Sequence, residues 1–363
     1  WPNLQAMLKV ESARDILFVL LTPSEAQKET LKTQASWVTE ATALFQSALG
    51  LNLKTKMKTW NAVADELWRF LLFSECVFDL PSDLPAALTT VPCAPQEALH
   101  LVEDLCDRLR NDRRTQAFYI ERAEGIEKDL NLPAICEKID DFGVRDTFPF
   151  EERACFTQAV DALKRDNVDK LRSVLNRHEQ SVWISRGENQ AQWNLLQAAA
   201  DLVQACEDAE RQLPDCSRSL DALVDAYASN LREVDRLQRE FEQAVGDSPV
   251  FDGNAAPVIQ QARQAYRKLI DKVQSVFLRH VEKTGWPMAG RLANTDVFDK
   301  LVAPKLMESG RRVVLFLIDA VRYELGVELA KQLDEDGQVE VQAACAQLPT
   351  VTPVGMASLL PGA

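Results

Sequence analysis

The sequence has 363 residues, a formal net charge of −14 at pH 7 and 46% hydrophobic residues. This length exceeds what one hydrophobic core normally holds, so we expect two or three domains. The acidic excess argues against broad, non-specific binding of nucleic acid, which needs an excess of lysine and arginine. The sequence shows no signal peptide and no apolar run long enough to span a bilayer, so we expect a cytoplasmic protein without a membrane anchor.

The eight cysteines do not form any C-x-x-C pair, and the sequence contains only three histidines. This spacing disfavours a zinc cage built from cysteine and histidine. Reduced and mostly buried thiols are the simpler interpretation for a cytoplasmic protein.

The first half of the chain predicts helices. Residues 1–22 contain the apolar run DILFVLL at 15–21, which fits either the last strand of an upstream domain or the end of a buried helix. We assign residues 23–150 to a helical domain. Its tryptophan-rich segment, LWRFLLFSECVFDLP at 67–81, has the spacing of a helix that faces a core, although a partner-binding face is the alternative.

Residues 151–290 are predicted to form a bundle of long helices. Three segments between 190 and 284 repeat apolar side chains in steps of four and three, for example around Leu202, Leu231 and Leu269. Such repeats are typical of helices that pack side by side through knobs-into-holes contacts. Short connections favour antiparallel pairing within one chain, as in a bundle or a coiled-coil-like hairpin.

The last segment, residues 291–363, changes character. Residues 313–318 form an apolar run rich in β-branched side chains, which predicts a strand buried on both faces of a sheet. The run stops at Asp319, and helical spacing follows. Open α/β sheets place their ligands at the carboxyl ends of such strands. A second cluster, PTVTPVGMASLLPG at 349–362, contains a proline–hydroxyl turn that leads into a helix.

These two stretches, VVLFLIDAVRYE at 313–324 and PTVTPVGMASLLPG at 349–362, resemble the PglZ domain, a branch of the alkaline phosphatase superfamily. The helical region before them resembles that of the type A PglZ proteins of BREX phage-defence systems. The resemblance implies a mainly α-helical region followed by the beginning of an α/β alkaline-phosphatase-like domain. It also implies a metal-dependent phosphoesterase or phosphodiesterase, a hydrolase that serves a BREX-like defence against bacteriophages.

The resemblance also assigns site residues. Asp319 corresponds to a ligand of one of two divalent metal ions, for which zinc is the expected metal. By position, Thr352 is the nucleophile and a metal ligand, and Thr350 is an alternative nucleophile or a supporting hydroxyl. Arg322 is a further candidate for contact with the substrate phosphate. From the residues alone, Asp319 and the two threonines fit equally well as helix caps.

The remaining ligands of the superfamily, aspartate and histidine residues from later loops, have no counterpart in this sequence. His100, His178 and His280 lie upstream in helical segments. We therefore expect a fragment of a longer protein that carries about half of a site and is inactive alone. The resemblance implies other BREX proteins as partners and a phosphoester substrate, such as nucleic acid or a nucleotide.

Two other interpretations stay open at this point. The run VVLFLID could be the Walker B strand of a nucleotide triphosphatase, although the sequence contains no G-x-x-x-x-G-K-[ST] motif. Alternatively, the chain could be a helical interaction scaffold with vestigial hydrolase residues.

Overall fold

The computed structural model describes residues 1–33, 36–56, 58–179, 181–248, 255–310, 312–335 and 337–362. These residues are mostly helical. The first half contains α1 (Pro2–Leu8), α2 (Ala13–Leu21), α3 (Glu25–Thr33), α4 (Trp37–Leu49), α5 (Trp60–Asp79), α6 (Leu99–Asn111), α7 (Gln116–Leu130), α8 (Leu132–Ile135), α9 (Pro149–Lys164) and α10 (Val168–His178). The second half contains α11 (Gly187–Cys216), α12 (Leu220–Ala226), α13 (Arg232–Asp247), α14 (Ala255–Thr284), α15 (Asn294–Val297), α16 (Ala303–Leu306), α17 (Tyr323–Leu333) and α18 (Thr352–Ala357). Shorter turns are the 3₁₀ turn Gln96–Ala98 and the π-helical turns Tyr227–Leu231 and Phe298–Val302.

The chain divides into two compact units. The first contains Trp1–Asp161 and Asp169–Gln190, and the second contains Ala162–Val168 and Ala191–Ala363. The domain limits that the sequence suggested, near residues 22, 150 and 290, stay predictions.

The first unit is a helical domain with one large apolar core. The run at 15–21 is helical, because the Ser12 hydroxyl caps α2 by accepting a hydrogen bond from the Asp15 N–H at 3.0 Å. In α5, Trp60 and Trp68 are buried, and their indole N–H groups donate to the carbonyls of Leu20 (2.9 Å) and Leu21 (3.3 Å). The tryptophan-rich helix therefore faces the core, as its spacing predicted.

The second unit contains the long helices α11, α13 and α14. Leu202, Leu231 and Leu269 are 0%, 7% and 2% exposed, so these three positions of the predicted seams are buried as expected. An ion pair between Glu210 on α11 and Lys272 on α14, at 2.7 Å, adds a polar contact beside the seam. Pro214 lies inside α11, and the helix ends at Cys216, two residues later. Because a proline removes a backbone hydrogen bond and clashes with the preceding turn, it is tolerated more easily near a helix end than in its middle.

The predicted strand at 313–318 is not formed. Residues 312–318 carry no strand assignment, and Val314 and Phe316 are 73% and 79% exposed rather than buried on two faces. A parallel strand needs neighbouring strands to satisfy its backbone, and the described residues contain only one isolated parallel bridge, between Ala293 and Cys345. The helical part of the predicted fold is confirmed, whereas the start of an α/β domain is not.

One further expectation concerns membranes. None of the helices among the described residues combines the length and the hydrophobicity needed to cross a bilayer.

Candidate active site

The two sequence motifs meet in the second unit. Thr352, the first residue of α18, donates its hydroxyl hydrogen bond from Oγ1 to Oδ2 of Asp319 at 3.1 Å, although 33 positions separate the two residues. The other carboxylate oxygen, Oδ1, accepts a hydrogen bond from the Ala320 N–H at 2.9 Å. Both side chains are exposed. The structure therefore brings the predicted nucleophile to the predicted metal ligand.

The two candidate threonines are placed differently. Thr350 is exposed and precedes α18, and among the described residues no hydrogen bond joins it to Asp319. Thr352 makes the direct contact. This geometry favours Thr352 over Thr350, while the catalytic roles of both stay predictions.

Arg322 lies beside the Asp319 segment at the start of α17, where it is the N-cap residue. Its side chain is exposed, and Nη1 donates to Oε1 of Gln238 on α13 at 3.3 Å. Its predicted contact with a phosphate is not tested by this arrangement.

Glu324 connects the motif to the helical bundle. Its side chain is only 1% exposed and accepts two hydrogen bonds from Arg239 on α13, at 3.0 and 3.2 Å. The paired geometry matches the fork of a guanidinium to the two oxygens of a carboxylate. Glu324 is also the one residue of α17 that is classed as buried. The ion pair therefore fixes α17, the helix that directly follows the Asp319 turn, to the bundle.

A second polar group supports the same face of the bundle. Oδ2 and Oδ1 of Asp235 accept hydrogen bonds from the hydroxyls of Tyr227 and Tyr266, both at 2.7 Å. Burial raises the pKa of both tyrosines, and the Asp235 carboxylate raises each pKa further. The Tyr227 ring lies 6.3 Å from the ring of Tyr323, which belongs to the motif. Asp235 thus orders the bundle surface on which the motif packs.

Sequence reasoning missed Arg239 and Asp235. Both lie in a helix whose charged residues look like an ordinary solvated face. Arg239 pairs with Glu324, 85 positions away, and Asp235 pairs with Tyr227 and Tyr266, 8 and 31 positions away. One signal was available: Asp235 lies next to Val234 within the apolar seam, where a charged side chain needs a partner.

The residues near Asp319 fit one part of a metal site. Two oxygen ligands of a single cation lie about 3–3.7 Å apart when the metal–oxygen bonds are about 2.0–2.6 Å. The 3.1 Å between Thr352 Oγ1 and Asp319 Oδ2 agrees with this separation. Two divalent ions need several protein ligands each, and this part of the described chain supplies one carboxylate and one hydroxyl.

A separate group of potential metal ligands lies in the first unit. Asp146, Cys155 and His178 are buried, and their ligand atoms all lie within 4.8 Å of one another. The group leaves no signal in the sequence, because the three residues are spaced 9 and 23 positions apart and match no metal-binding motif.

The comparisons with known proteins agree with the motifs. A family model described as the BREX system PglZ alkaline phosphatase-like domain matches residues 297–363. The chain is 23% identical over 345 residues to the "Alkaline phosphatase-like protein PglZ" of Bacillus cereus (strain H3081.97). This match covers 88% of the chain but 37% of that protein's length. No solved structure matches the chain significantly. The chain is therefore similar to PglZ alkaline phosphatase-like proteins, as its two motifs indicated, and residues 297–363 carry the match to the PglZ domain.

Proposed function

We propose that the segment from residue 297 onward contributes part of the catalytic centre of a metal-dependent phosphoesterase, with phosphodiesters as its substrates. The observation that carries this proposal is the 3.1 Å hydrogen bond between Thr352 and Asp319, because it unites the two motifs on which the resemblance to PglZ rests. A chance contact between the two motifs would not be expected to join Thr352 and Asp319 in particular.

Thr352 is the proposed nucleophile. Its Oγ1 loses its proton to water and forms the bond to phosphorus, while one alcohol group of the diester leaves from the opposite side and takes up a proton from water. The intermediate is a phosphodiester of Thr352 that keeps the second alcohol, and water then hydrolyses it to a phosphate monoester and free Thr352. The hydrogen bond to Asp319 fixes the position of Oγ1, and a fixed nucleophile gains much of the rate that correct orientation provides. Divalent ions, with zinc as the first choice, would supply the positive charge that activates a hydroxyl and stabilises phosphoryl oxygens.

Arg322 and Asp319 complete the proposed half-site. Asp319 would hold one cation through the oxygen that now accepts the Thr352 hydrogen bond. Arg322 is exposed and has donors beyond the one used by Gln238, so its guanidinium is available to a phosphate oxygen. Thr350 is assigned a supporting role at most.

The wider role follows from the relatives. We propose that the full-length gene product is a hydrolase of a BREX-like defence system against bacteriophages, that it works with other BREX proteins, and that it is cytoplasmic. Nucleotides or nucleic acid are the proposed substrates, and the net charge of −14 requires that a nucleic acid be held locally rather than over a broad surface. Residues 1–363 alone should be inactive, because one carboxylate and one hydroxyl do not hold two divalent ions.

The test is the hydrolysis of bis(p-nitrophenyl) phosphate by the full-length gene product with added Zn²⁺ or Mn²⁺. We expect metal-dependent release of p-nitrophenol, which Thr352→Ala lowers by on the order of 10³-fold or more, as removal of a nucleophile does in other enzymes. Thr350→Ala is the matched control, because it removes a neighbouring hydroxyl, and it should leave most of the activity.

Two results separate this proposal from its rivals. A scaffold with vestigial residues would release no p-nitrophenol with any metal. A nucleotide triphosphatase would hydrolyse ATP but not bis(p-nitrophenyl) phosphate, and its activity would not depend on Thr352.

A further inference from the structure

The first unit contains a buried set of nitrogen, sulfur and oxygen donors that the proposed hydrolase chemistry does not use. Asp146 lies in the loop before α9, Cys155 lies on α9, and His178 is the last residue of α10. Asp146, Cys155 and His178 are 2%, 4% and 3% exposed. Their ligand atoms lie within 4.8 Å of one another, and Nδ1 of His178 lies 2.8 Å from Oδ2 of Asp146. Three separate segments of the chain thus converge on one buried point.

The backbone around Asp146 is held on both sides. The indole N–H of Trp183 donates to the Asp146 carbonyl at 2.7 Å. The hydroxyl of Tyr119 donates to the next carbonyl, that of Thr147, at 3.1 Å, and Nη1 of Arg110 donates to the preceding one, that of Arg145, at 2.8 Å. Three consecutive carbonyls are therefore anchored to buried side chains. The carboxylate is presented to Cys155 and His178 from a fixed loop, as a metal ligand must be.

The charges around the three donors favour a cation. Glu151 and Glu152, on the first turn of α9, are 1% and 4% exposed, so several carboxylates are buried near Cys155. A divalent cation stabilises a thiolate ligand and compensates the charge of buried carboxylates.

We propose that Asp146, Cys155 and His178 form a structural site for a zinc-like divalent cation in the first unit. The donor set selects a borderline-soft metal, since a thiolate and an imidazole suit zinc, whereas magnesium and calcium prefer oxygen ligands. Ligand atoms of a tetrahedral zinc lie about 3.3–3.8 Å apart, given bonds of about 2.0–2.3 Å. The His178–Asp146 hydrogen bond must therefore open by roughly 0.5–1 Å as the ion replaces the shared proton. A water molecule would supply the fourth ligand of the tetrahedral site.

The test uses the 363-residue chain after treatment with a chelator. When Zn²⁺ is added back, we expect the chain to retain one equivalent of the metal through gel filtration. We also expect Zn²⁺ to raise the melting temperature of the chain. Titration with Co²⁺ should produce the charge-transfer absorption of a cobalt–thiolate bond. Cys155→Ser should abolish this absorption, and His178→Gln should weaken metal binding by about 10–100-fold or more.

Two control variants make the result specific. Cys106→Ser removes another buried thiol of the same unit that lies outside the cluster, and it should leave the cobalt absorption unchanged. Asp319→Asn should also leave it unchanged, because this site is independent of the proposed phosphoesterase centre. A folded wild-type chain that gains no cobalt–thiolate absorption would overturn the proposal, whatever the variants do. A cobalt–thiolate absorption that persists in Cys155→Ser would also overturn the proposal.

Discussion

The contact between Arg239 and Glu324 offers a quantitative test of how the bundle supports the Asp319 motif. In Arg239→Ala the carboxylate of Glu324 would remain buried without its partner. Removing one partner of a fully buried pair costs about 3–5 kcal/mol. Arg239 is 33% exposed, so water can reach part of the orphaned group, and we expect the lower end, about 3 kcal/mol.

This loss should appear locally in α17. Glu324 is the one buried residue of α17, and the other contacts described above, of Tyr323 with Tyr227 and of Arg322 with Gln238, involve half-buried or exposed side chains. A change of about 3 kcal/mol corresponds to a roughly hundredfold larger population of the detached state. Hydrogen exchange followed by mass spectrometry should therefore show amides of residues 323–333 exchanging roughly 100-fold faster, while α11 and α14 keep their protection.

Two further variants check the reasoning. Lys331→Ala on the same helix removes an exposed ion pair with Glu328 at 3.1 Å and should change exchange by less than about threefold. Adding Glu324→Gln to Arg239→Ala removes the buried charge and should restore part of the protection. Unchanged exchange of α17 in Arg239→Ala, or an equal effect of Lys331→Ala, would refute the claim that this pair anchors the motif.

The remaining predictions concern the bundle. Leu202→Ala should lower the free energy of unfolding of the second unit by about 3–5 kcal/mol in urea titrations, because Leu202 is fully buried. Leu278→Ala, at a position that is 49% exposed, should change it by about 0.5 kcal/mol or less. Asp235→Asn should lower the pKa of Tyr227 and Tyr266, since it removes the negative charge that opposes phenolate formation; ultraviolet absorbance against pH measures this, and unchanged titration would contradict it. Because these raised values favour the neutral tyrosines in the folded state, wild-type stability should be full below about pH 10 and fall as the pH rises above it.

The sequence predicted the helical features well because they depend on local spacing. The periodic leucines of the bundle and the tryptophans of α5 are buried as their pattern required. The meeting of Asp319 and Thr352 was also predictable, but only because the resemblance to a known family supplied the long-range information.

Other features depend on partners that local spacing does not contain. A run such as 313–318 becomes a strand only beside other strands, and the described residues offer it none, so its apolar side chains remain exposed. The cluster of Asp146, Cys155 and His178 arises when a loop and two helices fold together, which leaves no motif in the sequence. Glu324 belongs to the stretch that resembles the PglZ domain, and its partner Arg239 is visible only in the structure.

The central claim, that Thr352 is the nucleophile beside Asp319, is tested most directly by trapping the covalent intermediate. The full-length gene product is mixed with a phosphodiester, quenched in acid and digested, and the peptides that contain residues 349–362 are analysed by mass spectrometry. We predict the substrate-derived phosphoryl group on Thr352, and its absence in Thr352→Ala but not in Thr350→Ala. Turnover without any label on this peptide, or a label on Thr350, would contradict the assignment.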